Sequence, residues 1–402
     1  MRFLRNFLEK IKPRFEEGGK FSKLHSVFNG FETFLFVPSK TSKRGTHIHD
    51  AVDSKRTMIT VVLALVPALL FGMYNIGRQH FRAVEQNAGF CETFFYGMLA
   101  VLPIILVSYI VGLIIEFIAA QIRRHEIQEG YLVTGFLIPL IVPVNTPLWM
   151  IATATAFAVI FAKEVFGGTG MNIFNVAMVA RAFLFFAYPT HMSGDHVWVR
   201  VKGVFGLWEG ETIDAFSGAT PLGQLGTSSG AVTDITGSLG EPLGFLDGIT
   251  GLIPGSIGET SVVAIALGAV FLLITKVASW KTMLSVFAGG AIVGVIFNLA
   301  GPDTAIASFP WYMHLVFGGF TFGAVFMATD PVTSARTETG KWIHGFLTGA
   351  AAITIRVLNP GYAEGMMFAI LLMNVFAPLI DFYVVDANAR KRLKRKPLRV
   401  SV

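Results

Sequence analysis

The amino-acid sequence predicts an all-α polytopic membrane protein with about ten transmembrane helices. Hydrophobic residues make up 53% of its 402 residues and charged residues only 14%, whereas about a quarter of the residues in soluble domains are charged. A helix needs about 20 largely apolar residues to cross the roughly 30 Å hydrocarbon core, and ten apolar runs recur along the chain. The single cysteine, Cys91, excludes a disulfide framework and an iron–sulfur cluster held by this chain's thiolates alone. We therefore expect any redox cofactor here to be organic.

The apolar runs divide the chain into five regions. An N-terminal extension (1–57) precedes a first membrane half (58–189), a polar loop (190–259) separates this half from a second one (260–385), and a basic tail (386–402) follows. Each half contains five runs. The ten runs cover residues 58–76, 96–120, 131–143, 148–162, 174–189, 260–276, 283–300, 312–328, 343–356 and 364–385.

Charge predicts the orientation of these spans. Residues 1–57 contain twelve Lys and Arg, and residues 390–396 form a second basic run. Because cytoplasmic segments carry the excess of Lys and Arg, both ends are expected in the cytoplasm, which an even number of spans allows; anchoring there explains the basic residues better than nucleic-acid binding does. The loop 190–259 has eight acidic residues and only Arg200 and Lys202 as basic ones. This loop is therefore expected on the extracytoplasmic side.

Two halves of five spans each must be inverted relative to one another if they are repeats. The third run is only 13 residues long, and the eighth run contains Gly318, Gly319 and Gly323. Short or interrupted helices at corresponding positions of two halves are typical of inverted repeats. We expect two inverted five-helix repeats, although the halves share little sequence identity.

Two polar segments follow apolar runs at equivalent positions of the halves. In the first, a Gly-rich stretch leads to Asn172 and Asn175, whose amides both donate and accept hydrogen bonds and suit the edge of a flavin or quinone ring. In the second, Asp330 precedes a proline and could hold a ring nitrogen or a cation. The alternative for Asn172 and Asp330 is that each only caps a helix or starts a turn.

Carboxylates within apolar runs are a further signal, because an ionisable group at membrane depth is costly. Glu116 and Asp381 both occupy such positions and suit a Na⁺ or proton pathway. Either could instead lie near a helix end and reach interfacial water. Gly112, one turn before Glu116, leaves room for a flat ring or for a neighbouring helix.

A heptapeptide in the polar loop, Asp214-Ala-Phe-Ser-Gly-Ala-Thr220, presents a threonine hydroxyl among small residues. Ser217, Gly218 and Ala219 leave that hydroxyl sterically open to covalent modification. Taken alone, the segment could also be an ordinary turn.

Together these motifs resemble those of the B subunits of bacterial sodium-translocating NADH:quinone oxidoreductases, over nearly the whole chain. The resemblance implies that Thr220 carries FMN through a phosphoester, installed by a flavin transferase that recognises an Asp followed by Ser-Gly-Ala-Thr. Asp214, Ser217, Gly218 and Ala219 match that motif, and Ala215 stands where the family pattern has Gly.

The resemblance implies further roles. Asn172, Asn175 and Asp330 correspond to riboflavin contacts, and Gly112 to the ubiquinone region; Glu116 and Asp381 correspond to residues of the sodium pathway. The implied partners are Na⁺, membrane lipid and other subunits, among them a second FMN-bearing subunit and an NADH-oxidising flavoprotein. The implied location is the bacterial inner membrane, and the implied activity is electron transfer from FMN through riboflavin to ubiquinone, coupled to Na⁺ export.

Two other functions stay open at this point. The D subunits of Rnf complexes share the ten spans and the flavin-linked Thr, but they usually lack an extension as long as residues 1–57. A non-redox channel or transporter with an inverted repeat belongs to another class altogether. The sequence contains no NADH-binding fingerprint, so NADH oxidation is expected on another subunit.

Overall fold

The fold is all-α, as the sequence predicts. A computed structural model describes residues 10–15, 28, 54–123, 130–210, 216–228, 234–362 and 364–395. These residues form no β-strand, and their only β-pairings are the isolated bridges Val204–Leu207 and Thr236–Pro242.

Fourteen α-helices occur in these ranges. They are α1 Ser54–Ala83, α2 Phe90–Arg123, α3 Tyr131–Leu140, α4 Leu148–Ala158, α5 Val176–Ala187, α6 Pro221–Thr227, α7 Phe245–Thr250, α8 Val262–Ile274, α9 Trp280–Ala300, α10 Ala305–Ser308, α11 Trp311–Val316, α12 Phe320–Phe322, α13 Glu338–Leu358 and α14 Met366–Arg395. Two π-helical segments, Val159–Glu164 and Gly323–Met327, continue α4 and α12.

The faces of α2 show the pattern of a membrane helix. Its polar and small residues Ser108, Gly112 and Glu116 recur every four residues and are buried. Large apolar residues on the opposite side, such as Ile110 and Ile118, are each 55% exposed. Polar groups inside and apolar groups outside suit a helix that faces lipid rather than water.

Glycines allow the long helices to pack closely. A Cβ at Gly289 or Gly349 would overlap the backbone of the facing helix, so α9 and α13 approach along these residues. Gly97 in α2 lies in the same way against the Met73 carbonyl of α1. Small residues at such contacts are typical of helix association in membranes, where burial from water supplies no driving force.

The two irregular spans occur where the sequence predicts them. Helix α3 has only ten residues, and the eighth apolar run is divided between α11 and α12. The interruption lies at Gly318 and Gly319, whose φ angles of 73° and 69° fall in the left-handed region that favours glycine. The chain thus changes direction within an apolar run.

Within the described ranges, four helices are long and apolar enough to cross a membrane: α1, α2, α9 and α14. Three shorter apolar helices, α3, α5 and α8, accompany them. The count of ten spans and the inverted repeat stay predictions. Most of the N-terminal extension, the end of the basic tail and Asp214 lie outside the described residues.

Candidate functional site

The two halves contribute jointly to one cavity of about 110 Å³, here called the amide cavity. Asn172 and Asn175 line it from the segment before α5, and Asp330 lines it from the segment after the second π-helix. The structure therefore brings together all three residues that the sequence singles out as a group. Apolar side chains such as Val133 and Phe326 complete the lining.

Asn175 and Asp330 are in direct contact across the cavity. The Asn175 amide donates from Nδ2 to Asp330 Oδ2 at 3.3 Å, while its Oδ1 accepts from the backbone N–H of Met178 at 3.2 Å. Asp330 also accepts hydrogen bonds from the Thr333 hydroxyl and the Val332 backbone N–H, both at 3.0 Å. The N-cap of α5 is therefore Asn175 and not Asn172, and Asn175 combines this capping with its contact to Asp330.

The donors and acceptors of the amide cavity suit the polar edge of a flavin. Oγ1 of Thr169, which lines the cavity, is buried without a hydrogen-bond partner among the described residues, and a buried polar atom usually has one. In the described part of the chain, the Asn172 amide donates only to the nearby Phe174 carbonyl, at 2.9 Å. Ligand pockets usually enclose 300–1,000 Å³, so a whole tricyclic ring requires the side chains around this cavity to move.

A buried ion pair borders the amide cavity. Lys163, a lining residue on the first π-helix, donates to Glu116 of α2, and the two residues are 3% and 5% exposed. Lys163 Nζ also lies 5.6 Å from the centroid of the Tyr131 ring. A Cβ at Gly112 would overlap this ring, so the glycine leaves room for Tyr131, a residue of the neighbouring helix α3. Gly112 and Glu116 therefore belong to one cluster on the buried face of α2.

Asp381 lies in a different environment from Glu116. Its Oδ2 accepts from the Arg336 backbone N–H at 2.7 Å, and its Oδ1 accepts from the backbone and hydroxyl of Thr337 at 3.0 and 2.6 Å. Thr337 is the N-cap of α13. Asp381 thus fastens α14 to the start of α13, and the described hydrogen bonds do not connect it with Glu116. No group of three or more His, Cys, Asp or Glu side chains able to hold a metal ion occurs in the described part of the chain.

Thr220 is the N-cap of α6. Its Oγ1 accepts a hydrogen bond from the Gly223 backbone N–H at 3.1 Å, and the residue is half-buried. Pro221 follows it at the first helical position, where the missing N–H costs no hydrogen bond. The hydroxyl proton is therefore not used in the cap, and the oxygen stays open to a substituent.

The residues before Thr220 are held by long-range contacts. The Ser217 N–H donates to the Ser238 carbonyl at 3.1 Å, and a Cβ at Gly218 would overlap the Asp195 carbonyl. Gln224 of α6 donates to the Thr236 carbonyl at 2.8 Å. These contacts hold the described residues 217–220 between two loop segments, one at Asp195 and one at residues 236–238.

An ion pair connects α1 with the loop segment that contains Glu241. Arg82 donates to Glu241 at 2.7 Å. Burial raises the pKa of Glu241, but hydrogen bonds from its own backbone N–H, from Arg82 and from the Leu239 N–H outweigh burial and lower it overall. Glu241 therefore stays ionised and keeps this link at neutral pH.

Sequence reasoning missed a set of four charged residues, here called the charge network. Arg181, Glu259 and Arg356 are buried, and Glu364 is partly exposed. Arg181 in α5 is 4% exposed and pairs with Glu259 at 2.7 Å and with Glu364. The signal was present, because Arg181 interrupts an apolar run just as Glu116 does. Its partners stand near the ends of two other runs, about 80 and 180 residues away, so no local pattern relates them.

Arg356 completes the charge network from α13. It is fully buried and donates to the His314, Gly318 and Glu364 carbonyls at distances from 2.6 to 3.3 Å. It thereby satisfies carbonyls at the interruption between α11 and α12, where helical hydrogen bonds are missing. A cavity of about 30 Å³ lies between the network and Thr220, and it is lined by Glu259, Glu364 and Thr220 among others.

Comparison with known proteins agrees with this architecture. A sequence model of the NQR2, RnfD, RnfE family matches residues 41–390. The B subunit of the Na(+)-translocating NADH-quinone reductase of Ectopseudomonas mendocina is 43% identical over 416 residues, covering 98% of this chain and 99% of the relative. The B subunits of the same name from Pseudoalteromonas atlantica and Pseudomonas aeruginosa are 42% identical with the same coverage. This membrane protein belongs to the NQR2, RnfD, RnfE family.

Proposed function

We propose that this chain is the B subunit of a sodium-translocating NADH:quinone reductase in the bacterial inner membrane. The observation that carries the proposal is similarity over nearly the full length to relatives of that name. The overall redox reaction is NADH + H⁺ + ubiquinone → NAD⁺ + ubiquinol. A partner flavoprotein oxidises NADH, and a second FMN-bearing partner subunit delivers electrons to this chain. The chain passes them from covalent FMN through riboflavin to ubiquinone, and this passage drives Na⁺ export.

In this proposal FMN is attached at Thr220. The Thr220 oxygen forms a bond to the flavin phosphorus of a flavin phosphoanhydride, whose second phosphate group leaves with the bonding electron pair, and the hydroxyl proton is released. The N-cap geometry supports this assignment, because the hydroxyl proton is not engaged by the Gly223 N–H contact. Bound FMN supplies reversible electron transfer, and the protein's part is to orient it.

Riboflavin is assigned to the amide cavity. Asn175 offers an amide that Asp330 already orients, Asn172 offers a second one, and Thr169 has an unused hydroxyl there. These groups can hold the ring's carbonyl and N–H edge, and the apolar lining excludes water. Lys163, paired with Glu116, adds a hydrogen-bond donor at the border of the cavity.

The ion and quinone pathways are assigned with fewer contacts. Glu116 is placed on the Na⁺ pathway because its Oε2 is buried without a described partner, while Lys163 occupies only Oε1. Asp381 is placed there as well, through carboxylate oxygens that also anchor α13. Gly112 is assigned to the ubiquinone region from the resemblance alone, since its missing side chain makes room for Tyr131.

The proposed orientation puts both termini in the cytoplasm and the loop 190–259 outside it. The relatives named as B subunits align with 98% of this chain, and this coverage includes most of the N-terminal extension. That favours the quinone reductase over the D subunit of an Rnf complex.

Replacing Thr220 with Val tests the attachment. In cells that contain the flavin transferase, the denatured unaltered chain should show flavin fluorescence in a gel. Thr220→Val should lose this fluorescence, because no oxygen is left at this position to bond to phosphorus. Thr227→Val removes a hydroxyl at the other end of the same short helix and should keep the fluorescence. Mass spectrometry of the unaltered chain checks the same point, and an unmodified Thr220 would refute the proposal.

A further inference from the structure

A cavity of about 730 Å³, here called the arginine cavity, lies beside residues 216–220, the described part of the motif that ends in Thr220. It is lined by Arg200, Lys202 and Phe216, together with residues of α2 and of the segment between α3 and α4. Its volume falls in the range of 300–1,000 Å³ that ligand pockets usually have. The cavity directly at Thr220, of about 30 Å³, holds little more than a water molecule. Of these two, only the arginine cavity has room for a tricyclic ring.

The charge of the arginine cavity favours an anionic ligand. Arg200 and Lys202 are the only basic residues of the otherwise acidic segment 190–259, and both line this cavity. The histidines at 191 and 196 line it too, with Asp195 as the one carboxylate. The Arg200 Nε atom is buried without a hydrogen-bond partner among the described residues, so the guanidinium keeps an unsatisfied donor that a rotation of the side chain can direct at a ligand.

The backbone that carries these basic residues is held rigidly. The Arg200 carbonyl lies 2.9 Å from a ring nitrogen of His80, and the Tyr96 hydroxyl donates to the Lys202 carbonyl at 2.7 Å. On the other side, Asn145 donates to the His196 and Val199 carbonyls at 2.7 and 2.8 Å. The backbone from which the two cations extend is thus fixed before any ligand arrives, as binding sites require.

The motif reaches this cavity directly. Phe216 lines it and precedes Thr220 by four residues, which span at most about 14 Å of extended chain. Between them, Gly218 lies against the carbonyl of Asp195, another lining residue. A group attached to Thr220 therefore has the cavity within reach.

We propose that the arginine cavity binds the isoalloxazine ring of the flavin on Thr220, with Phe216 packed against the ring and Arg200 donating to its polar edge. The inference rests on the proposed function of Thr220. Reduction of a flavin places negative charge on this edge, and a neighbouring cation stabilises the reduced form. Arg200 is thus a positioning residue that raises the midpoint potential of the covalent flavin.

Spectroelectrochemical titration of the full-length flavinylated chain in detergent tests the proposal. Arg200→Gln should keep the in-gel fluorescence but shift the midpoint potential of the covalent flavin to a lower value. Arg78→Gln is the matched control, because Arg78 is half-buried in the outer part of α1 and does not line the cavity; it should leave the potential unchanged. If Arg200→Gln does not fold, Lys202→Gln should give the same downward shift.

Iodide quenching of the flavin fluorescence gives a second readout. The ring should be shielded in the unaltered chain, and Phe216→Ala should expose it and raise the quenching constant. A flavin that is freely quenched in the unaltered chain, or a potential unmoved in both Arg200→Gln and Lys202→Gln, would overturn the proposal. Absence of any covalent flavin in the unaltered chain would instead refute the proposed function of Thr220.

Discussion

Asn175 performs two tasks with one side chain. Its Oδ1 caps α5 through the Met178 N–H, and its Nδ2 donates to Asp330 in the other half of the chain. An amide is suited to this because it presents an acceptor and two donors in one plane. The second N–H of Nδ2 stays available for a ligand in the amide cavity, so the same residue joins the two halves and offers a binding group.

Asn175→Ser separates these tasks. Serine caps helices nearly as well as asparagine but has no amide to direct at Asp330 or at riboflavin. A neutral hydrogen bond contributes about 0.5–1.5 kcal/mol, so we expect non-covalent flavin to bind about 2- to 13-fold more weakly. Acid extraction of flavin from the purified chain measures this, and covalent FMN should be unchanged.

Asn298→Ser serves as the control for Asn175→Ser. Asn298 donates to the Ala307 and Phe309 carbonyls and does not line the amide cavity. The Asn298→Ser variant should therefore retain as much extractable flavin as the unaltered chain. Equal flavin content in both variants would contradict the assignment of Asn175.

How far residues can be predicted from sequence depends on whether their signal is local. Asn172, Asn175 and Asp330 each follow an apolar run at an equivalent point of the two halves, so their meeting in one cavity is predictable. The contacts of Asp381 are not, because the residues it binds lie about 45 positions earlier in the chain. Arg181 is detectable as a charge in an apolar run, but its two carboxylate partners are not.

At the scale of elements, the interruption between α11 and α12 connects the membrane part to the segment that contains Thr220. A Cβ at Gly318 would overlap Leu222 of α6, the helix that begins directly after Thr220. The glycines predict the interruption itself, since the left-handed region favours them. They do not predict that α6 packs there, because that contact joins residues about 100 positions apart.

Gly318→Ala tests this packing. The substitution costs about 1–2 kcal/mol for a left-handed alanine and, in addition, pushes Leu222 and α6 away. Gly206 provides a matched control, because its φ of 75° is nearly that of Gly318 and its Cβ would meet open space. In thermal unfolding of the full chain we expect Gly318→Ala to lower the melting temperature more than Gly206→Ala. Equal losses would show that α6 adjusts freely.

At the scale of the whole molecule, the charge network joins parts that are far apart in the chain. Arg181 belongs to the first half, Glu259 to the end of the polar loop, and Arg356 and Glu364 to the second half. Two arginines and two glutamates balance in charge. Charges are costly to remove from water, and a buried pair is kept only when its geometry and hydrogen bonds are good. Hydrophobic helix surfaces alone do not fix how the two halves pack against each other, because the surrounding lipid is as apolar as these surfaces.

Arg181→Gln removes the cation that faces two carboxylates. Loss of one partner from a buried ion pair costs about 3–5 kcal/mol, because the remaining charge is uncompensated. We therefore expect a large fall in the melting temperature of the full chain. The double variant Arg181→Gln, Glu259→Gln removes one charge of each sign and leaves Arg356 and Glu364 to balance each other, so it should recover part of that loss. If the double variant were as unstable as Arg181→Gln, the network would act through the shape of its side chains, and charge balance between the halves would not explain why these residues lie together.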